Sequence, residues 1–378
     1  MTDVLIYADT FRCPELRHEV PLGVPDPFLY LEKDGVRHIV VGSMEMPRIA
    51  EAGDYVLHPN EEFGQDELVA AGLGRTEIRE QLLVRAVTGL GVSSAVVPET
   101  FPLRIADVLR AEGIELTADG DFFDDRRRAK SGAELAGVRR AQKAAEAGMS
   151  AARDVLRRAA SNGNGLEVDG APLTVELVKR AIAEAFVAND ATADEFIVAR
   201  GPQGAVGHDM GSGRIAEGEP VVIDLWPRDI ESSCFADMTR TFVVGEIPAD
   251  VAEWHRLCLE ALERAVSEIR PGADGRAIFD GTCDIFEAAG EPTPRTKEPG
   301  KMLFDGFFHG LGHGVGLEVH EQPGMGLSSQ NQLVTGDIVT VEPGLYRQGY
   351  GGVRLEDLVL VTEDGAENLT HFSYDLTP

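Results

Sequence analysis

Four acidic residues stand inside or at the ends of apolar, strand-like runs in the C-terminal part of the sequence. Asp224 and Asp237 occur in VVIDLWPRDIESSCFADMTRTF, Glu342 follows IVTV, and Glu356 lies between VRL and DLVLV. An ionised carboxylate that loses water without gaining a partner is costly in a protein core. Runs of this kind can pack only if a cation lies among the acids. Arg354 could serve one carboxylate, and a metal could serve all four.

The histidines near these acids favour a hard, oxygen-rich metal site. FFHGLGHGVGLEVHEQPG contains His309, His313 and His320, and His208 precedes the first acid. Four carboxylates and one imidazole form a site suited to Mn, Fe, Co or Zn, and not a thiolate-type zinc site. Two divalent cations would balance four negative charges and could share a hydroxide that is nucleophilic at neutral pH. The segment is not an HExxH motif, and its glycines predict close backbone packing in a cleft.

One order of elements repeats in the C-terminal two-thirds of the chain. Ser131, with Glu134 three residues later, predicts a capping box at the start of a long helix. Each half then reads as helix, helix and several strand-like runs, with helices predicted over 132–160 and 174–188 and again over 249–269 and 275–290. We expect such a duplication to bring strand ends from both halves, and their acids, into one cleft.

The N-terminal part alternates short strand-like and helix-like segments, which is typical of a small α/β unit. PFLYLEKDGVRHIVVG predicts a hairpin that turns at Asp34-Gly35. The basic segment DDRRRAKS (124–131) marks the predicted boundary, and its charge run predicts a solvated face. We therefore expect two domains, 1–125 and 126–378, of α/β (α+β) class.

Composition excludes several partners. The chain has 378 residues, a length typical of about two domains, and a formal net charge of −29. A negative field of this size repels nucleic acids and anionic lipid, so neither is an expected partner. We find neither a signal peptide nor a membrane-spanning run in the sequence, which predicts a cytoplasmic protein. The four scattered cysteines predict buried thiols rather than a disulfide framework.

The motifs together resemble a known family. HGLGHGVGLEVHE, VEPGLY and VRLED, preceded by an Asp…Asp-x-Thr-Arg-Thr segment, closely resemble the Xaa-Pro peptidases. These are the prolidases and aminopeptidases P of the pita-bread (creatinase/methionine aminopeptidase-like) metallopeptidase superfamily. The resemblance covers the chain from about residue 130 to its end. It implies a creatinase-like N-terminal domain at 1–125 and a pita-bread catalytic domain at 126–378. It also implies hydrolysis of the bond before proline, a homodimer and two divalent metals, usually Mn.

The resemblance implies five metal ligands. Asp224 would chelate one metal, while Asp237 and Glu356 would bridge the pair. His313 and Glu342 would complete the second metal site. Glu342 would also serve as a proton shuttle.

The resemblance assigns further residues to catalysis and substrate binding. His208 would lie near the leaving proline, His320 would contact the scissile carbonyl, and His309 would line the same pocket. Arg354 and Tyr346 match family positions that support the ligands and hold the substrate. We expect all five around one catalytic cleft.

The first acid lies in a segment that departs from the family pattern. The family commonly has Gly two residues after this acid, whereas this chain has Trp226 followed by Pro227. The spacing from Asp224 to Asp237 is 13 residues, about two longer than we expect for the family. Ala236 stands where Ser is common. None of these changes removes a ligand, so we expect Trp226 and its loop to bind substrate and shape access.

Several functions share this set of motifs. We expect a proline-containing peptide substrate and favour an Xaa-Pro dipeptidase (prolidase). An Xaa-Pro aminopeptidase that acts on longer peptides is the first alternative, and a metal-dependent hydrolase of non-peptide amides is the second. Methionine aminopeptidases share the ligands but normally lack this N-terminal domain, and a non-catalytic binding module would be expected to lose ligands. Co, Zn or Fe could replace Mn.

Overall fold

The chain divides into two compact units. The computed structural model describes residues 2–163 and 165–378, and the unit boundary falls between Arg127 and Arg128. In these described ranges, no helix combines the length and apolar character needed to cross a bilayer. All four cysteines are buried free thiols, as their spacing predicts.

A single mixed sheet forms the centre of the first unit. Its strands are β1 (Val4–Ala8), β2 (Phe28–Lys33), β3 (Val36–Val41), β4 (Val56–Pro59), β5 (Ser94–Val97) and β6 (Glu115–Ala118). Their order is β4-β3-β2-β1-β5-β6, with antiparallel pairing within β1–β3 and parallel pairing elsewhere. The helices are α1 (Pro14–Glu19), α2 (Met46–Ala52), α3 (Gln65–Ala70), α4 (Arg75–Gly89), α5 (Leu103–Ala111) and α6 (Gly120–Arg128).

The predicted hairpin of the first unit is present. Asp34 and Gly35 connect β2 to β3 with φ angles of 51° and 79°. Positive φ at both central residues is the requirement of a type I′ turn, which matches the twist of the flanking strands. Local turn chemistry therefore determines this connection.

The prediction of a solvated face for the basic run is wrong. Arg127 is 4% exposed and Arg128 is 8% exposed. Arg128 donates two hydrogen bonds to the buried carboxylate of Asp337, at 2.9 and 2.7 Å. A run of like charges does not reveal acids that lie far away in sequence, and here an acid more than 200 residues distant pairs with the guanidinium.

The first half of the second unit follows the predicted order. Ser131 Oγ accepts a hydrogen bond from the Glu134 amide at 3.2 Å, and the Glu134 carboxylate accepts one from the Ser131 amide at 2.7 Å. This capping box starts α7 (Gly132–Arg157), which packs with α8 (Val175–Ala188) on the antiparallel strands β11 (Ile197–Arg200), β12 (Pro220–Leu225) and β14 (Met238–Val243). Short pairings add β7 (Ala160–Ser161), β8 (Leu166–Val168), β9 (Ala171–Pro172), β10 (Ala191–Thr192) and β13 (Arg228–Asp229).

The second half repeats the helix-helix-strand order, as the duplication predicts. Two helices, α9 (Ala249–Glu268) and α10 (Gly275–Ala288), share an apolar core with the following strands. The antiparallel sheet contains β15 (Gly312–Gly314), β16 (Glu321–Met325), β17 (Ile338–Val341), β20 (Asp357–Val361) and β21 (Ala366–Asn368), in the order β16-β15-β17-β20-β21. A separate hairpin pairs β18 (Gly344–Arg347) with β19 (Gly351–Arg354).

A buried guanidinium joins the two halves. Arg240 on β14 is 1% exposed and pairs with Asp357 on β20 at 2.9 Å. Its other N–H groups donate to the carbonyl oxygens of Ser373, Thr239, Glu356 and Phe372, at 2.7–3.1 Å. All five donors of the side chain are therefore used, which is the condition under which a buried charge is tolerated.

We expect Arg240→Met to lower the free energy of unfolding by about 3–5 kcal/mol, because Asp357 would remain buried without its partner. Urea denaturation followed by circular dichroism measures the change. Arg256→Met is the control, because Arg256 forms only exposed ion pairs with Glu253 and Glu260, and its urea midpoint should not move. Equal midpoints for the two variants would contradict the structural role of Arg240.

Candidate metal centre

The strands of both halves place acids at one location. Asp224 is the penultimate residue of β12. Asp237 directly precedes β14, the strand that pairs with β12. Glu342 directly follows β17, and Glu356 directly precedes β20, which pairs with β17. The Glu356 amide donates to the Thr239 carbonyl oxygen on β14 at 3.0 Å, so the strands of the two halves are hydrogen-bonded to each other at the site.

Three of the predicted ligands form a group that could hold a metal ion. Ligand atoms of Asp237, His313 and Glu356 all lie within 4.8 Å of one another. His313 Nε2 lies 3.8 Å from Asp237 Oδ2 and 3.6 Å from Glu342 Oε1. The structure therefore brings together one imidazole and three of the four acids at these distances.

His313 has the orientation of a metal-binding imidazole. Its Nδ1 lies 3.1 Å from the Gly314 carbonyl oxygen, so Nδ1 carries the proton and Nε2 keeps its lone pair. A ring fixed in this way is typical of histidine ligands. Close packing places the ring, because a Cβ at Gly312 would collide with the Thr340 carbonyl oxygen and one at Gly314 with that of Gln322. The predicted backbone packing around these histidines is confirmed.

Burial and mutual repulsion disfavour the ionised forms of three of the acids, Asp237, Glu342 and Glu356. Burial, followed by the charges of Glu356 and Asp224, raises the pKa of Asp237 well above its ordinary value. Burial also raises the pKa of Glu356, and it raises that of Glu342 to about 7. Asp224 Oδ1 and Asp237 Oδ1 are buried and have no hydrogen-bond partner within the described residues. Free carboxylate oxygens of this kind fit divalent-metal ligation.

Arg354 supports the cluster from one side. It is 6% exposed, and its guanidinium donates to Asp224 Oδ2, to the Tyr346 hydroxyl at 2.9 Å and to Thr239 Oγ1 at 3.2 Å. The Thr239 hydroxyl in turn donates to Glu356 at 2.7 Å. Sequence reasoning gave Thr239 no role, although the Asp-x-Thr-Arg-Thr segment contains it; its position next to the second acid was the available signal.

The histidines predicted to assist catalysis lie in the same region. His309 Nε2 lies 2.9 Å from the Tyr346 hydroxyl, and the rings of His313 and His320 are 4.3 Å apart. Burial, with the nearby charge of Arg354, lowers the pKa of His309 to about 3. Burial and His320 lower the pKa of His313 to about 4, so this imidazole is neutral at pH 7.

A cavity of about 810 Å³ opens onto the cluster. Its walls include nearly all the predicted site residues, namely His208, Asp224, Trp226, Asp237, His309, His313, His320, Glu342, Arg354 and Glu356. Tyr346 is not among the lining residues and is 1% exposed, so it lies behind the cavity surface. Its hydroxyl is hydrogen-bonded to His309 and Arg354. Glu195, which the sequence did not single out, also lines the cavity.

The loop after the first acid is firmly anchored. Asp229 is 2% exposed and accepts two hydrogen bonds from Arg140 on α7, at 2.9 and 2.8 Å. Its Oδ2 also accepts from the Ser232 amide and hydroxyl, and the Ala236 amide donates to the Pro227 carbonyl oxygen at 3.0 Å. These hydrogen bonds anchor the loop that follows Trp226, and Trp226 itself lines the cavity.

The sequence pattern of metallopeptidase family M24 matches residues 136–363, more than half of the chain. The chain belongs to metallopeptidase family M24. This match covers the duplicated unit with all five predicted ligands. It confirms the resemblance to the pita-bread metallopeptidases, and the M24 family implies binding of a divalent metal.

Curated relatives of this M24 member carry peptidase names. The chain is 37% identical over 183 residues to the Xaa-Pro dipeptidase of Pyrococcus furiosus. The matched stretch covers 48% of this chain and 49% of the relative. It is 36% identical over 197 residues to the probable dipeptidase PepE of Mycobacterium tuberculosis. This matched stretch covers 52% of this chain and 49% of the relative. These matches thus span about half the length of the curated relatives.

Solved structures share the fold over nearly the whole chain. The prolidase from Pyrococcus furiosus superposes with a TM-score of 0.75 at 23% identity and covers 99% of this chain and 97% of its own. The X-Pro aminopeptidase from Thermotoga maritima gives a TM-score of 0.78 at 21% identity, with the same coverage of both chains. The predicted α/β (α+β) class and pita-bread fold are confirmed.

We expect Asp237→Asn to raise the stability of the metal-free protein, on the order of 1 kcal/mol, because a neutral amide relieves the repulsion among the buried acids. The same change should abolish the stabilisation that added Mn gives the wild type. Thermal unfolding with and without metal, together with elemental analysis, measures both effects.

Glu195→Gln is the control for this experiment, because it removes a carboxylate from the cavity wall outside the cluster. This variant should keep the metal content and the metal-induced stabilisation of the wild type. An Asp237→Asn protein that binds as much metal as the wild type would contradict the assignment.

Proposed function

We propose that this chain hydrolyses the peptide bond that precedes proline and acts as an Xaa-Pro dipeptidase with two divalent metal ions. The observation that carries the proposal is the group of acids beside His313 Nε2, two of which have buried oxygens without a hydrogen-bond partner among the described residues. A set of four carboxylates and one imidazole suits two hard divalent ions. The names of the curated relatives support a dipeptide substrate.

In this proposal, five residues hold the metals. Asp237 and Glu356 would be shared between the two ions, Asp224 would hold one of them, and His313 and Glu342 would hold the other, as the resemblance to the Xaa-Pro peptidases implies. We further propose Mn as the metal, from the resemblance to the Xaa-Pro peptidases; its preference for carboxylate ligands matches four of the five residues, and Co, Zn or Fe could substitute. When bound, such ions polarise the scissile carbonyl and lower the pKa of water towards neutrality.

The remaining site residues bind substrate and move protons. Glu342 accepts the proton of the attacking water and delivers it to the proline nitrogen as the C–N bond breaks. His320, which lines the cavity, donates a hydrogen bond to the carbonyl oxygen as its negative charge develops, and His208, on the same wall, assists with a hydrogen bond near the leaving proline. Arg354 keeps Asp224 and Tyr346 in place, and Tyr346 keeps the His309 ring in place.

Two further features belong to the proposal. We propose a homodimer and a cytoplasmic location, both from the resemblance to the Xaa-Pro peptidases. The aminopeptidase alternative differs only in the length of peptide beyond proline. A substrate of that kind would extend towards the mouth of the same cavity.

An assay with stripped protein tests the proposed function. Chelation should abolish hydrolysis of Ala-Pro, and added Mn should restore it, because water is not activated without the ions. Ala-Pro should be cleaved faster than the tripeptide Ala-Pro-Ala if the enzyme is a dipeptidase. Ala-Ala is the control for proline selectivity. Failure of the Mn-loaded protein to cleave either proline substrate would refute the proposal.

We expect Trp226→Gly to change KM or the preference for substrate length, because the indole lines the cavity next to the first ligand. The metal content should not change, since Asp224 keeps its hydrogen bond to Arg354. Steady-state kinetics on Ala-Pro and Ala-Pro-Ala, with elemental analysis, measure both quantities. Unchanged KM values and an unchanged preference for substrate length would mean that Trp226 only packs against its neighbours and does not shape substrate access.

A further inference from the structure

Glu195 is a carboxylate of the catalytic cavity that the proposed chemistry does not use. It lines the same cavity as the metal cluster but is exposed, whereas Asp224, Asp237 and Glu356 are 9%, 4% and 2% exposed. Glu195 therefore lies nearer the mouth of the cavity than these ligands do. Within the described residues, its side chain forms no hydrogen bond or salt bridge, and an exposed acid of this kind stays available to a ligand.

Strand pairing brings Glu195 next to Trp226. Thr192 pairs with Arg228 between β10 and β13, and Ile197 pairs with Asp224 between β11 and β12. Glu195 lies between Thr192 and Ile197. Trp226 lies on the opposite segment, between their partners Arg228 and Asp224. Both side chains line the cavity, so its wall combines a carboxylate with an aromatic ring. A ring face and a carboxylate are the two groups that attract an organic cation.

No Lys or Arg among the described residues that line the cavity forms a salt bridge with Glu195. Among the described lining residues, Arg354 is the one Lys or Arg, and its guanidinium is committed to Asp224, Tyr346 and Thr239. Lys179 on α8, which does not line the cavity, lies 5.9 Å from the centre of the Phe196 ring and forms no salt bridge with Glu195; its charge acts on Glu176, Asp209 and Glu195 together. The two divalent ions and Arg354 would all lie at the buried ligand cluster, whereas Glu195 is exposed and lies outside that cluster.

We propose that Glu195, with Trp226, selects substrates whose residue before proline has a long cationic side chain, that is, Lys-Pro and Arg-Pro peptides. This inference rests on the proposed function and adds the preferred side chain to it. The α-ammonium group of a substrate lies close to the scissile bond and therefore near the metals. A lysine or arginine side chain is long enough to extend from there towards the mouth of the cavity, where Glu195 lies. The net charge of −29 also attracts cationic peptides.

Matched substrates test the inference on the Mn-loaded full chain. Lys-Pro and norleucine-Pro have similar aliphatic side chains, and only the first has a side-chain ammonium. We expect a kcat/KM about tenfold higher for Lys-Pro, the size of one exposed ion pair plus a cation–π contact. The difference should lie mainly in KM, because the contact is present in both ground and transition states. It should shrink between 50 mM and 500 mM NaCl, since salt screens exposed charges.

Two variants assign the effect to Glu195. Glu195→Gln should reduce the Lys-Pro to norleucine-Pro ratio to about one and leave kcat on norleucine-Pro and the metal content unchanged. Asp194→Asn, which removes the exposed neighbouring acid outside the cavity lining, should keep the wild-type ratio. Glu-Pro against Gln-Pro gives an independent check, because repulsion by Glu195 should make Glu-Pro the poorer substrate.

Four results would overturn the inference. Equal kcat/KM for Lys-Pro and norleucine-Pro in the wild type would show no charge selection, and a ratio that persists in Glu195→Gln would place the selection elsewhere. Equal losses on both substrates in Glu195→Gln would mean that Glu195 binds a group common to both, such as the α-ammonium. In these three cases the proposed function stands. Hydrolysis of no Xaa-Pro substrate would instead refute the proposed function, and the inference with it.

Discussion

The buried ion pair of Arg240 and Asp357 fixes the arrangement on which the site depends. Arg240 lies on β14, three residues after Asp237, and Asp357 directly follows Glu356. Because the guanidinium also donates to the Glu356 and Thr239 carbonyl oxygens, it sets the distance between the two strand ends that carry these acids. A charge with all its donors satisfied permits little sliding of one half against the other. The two halves can therefore present their acids to a common point.

A second network uses this frame to orient the side chains. Arg354 binds Asp224, Tyr346 and Thr239, and the Thr239 hydroxyl donates to Glu356. The Tyr346 hydroxyl contacts His309, so the network continues to an imidazole of the cavity wall. Two of the proposed ligands, Asp224 and Glu356, are thus held by neighbours that are themselves hydrogen-bonded, which favours a preorganised site. The acids repel one another, and this network keeps them together despite that cost.

Much of this architecture could be predicted from the sequence. Periodicity and the capping box of Ser131 predicted the duplicated helices, and acids inside apolar runs predicted the site, because both signals are local. The burial of Arg127 and Arg128 could not be predicted, since it depends on acids remote in sequence. The same reason explains why Glu195 was missed: its place in the cavity follows from the register of two strand pairs. A pattern within one segment does not contain that register.

The crowding of the acids has a consequence for the amount of protein as well as for its chemistry. A metal that binds only the folded chain stabilises it by mass action, and the repulsion among the unbalanced carboxylates makes the metal-free form the weaker one. A less stable form spends more time unfolded, where proteases act. The supply of metal would therefore control how long each molecule survives in the cell. Molecules that fail to acquire metal would be removed first, which keeps the surviving population competent.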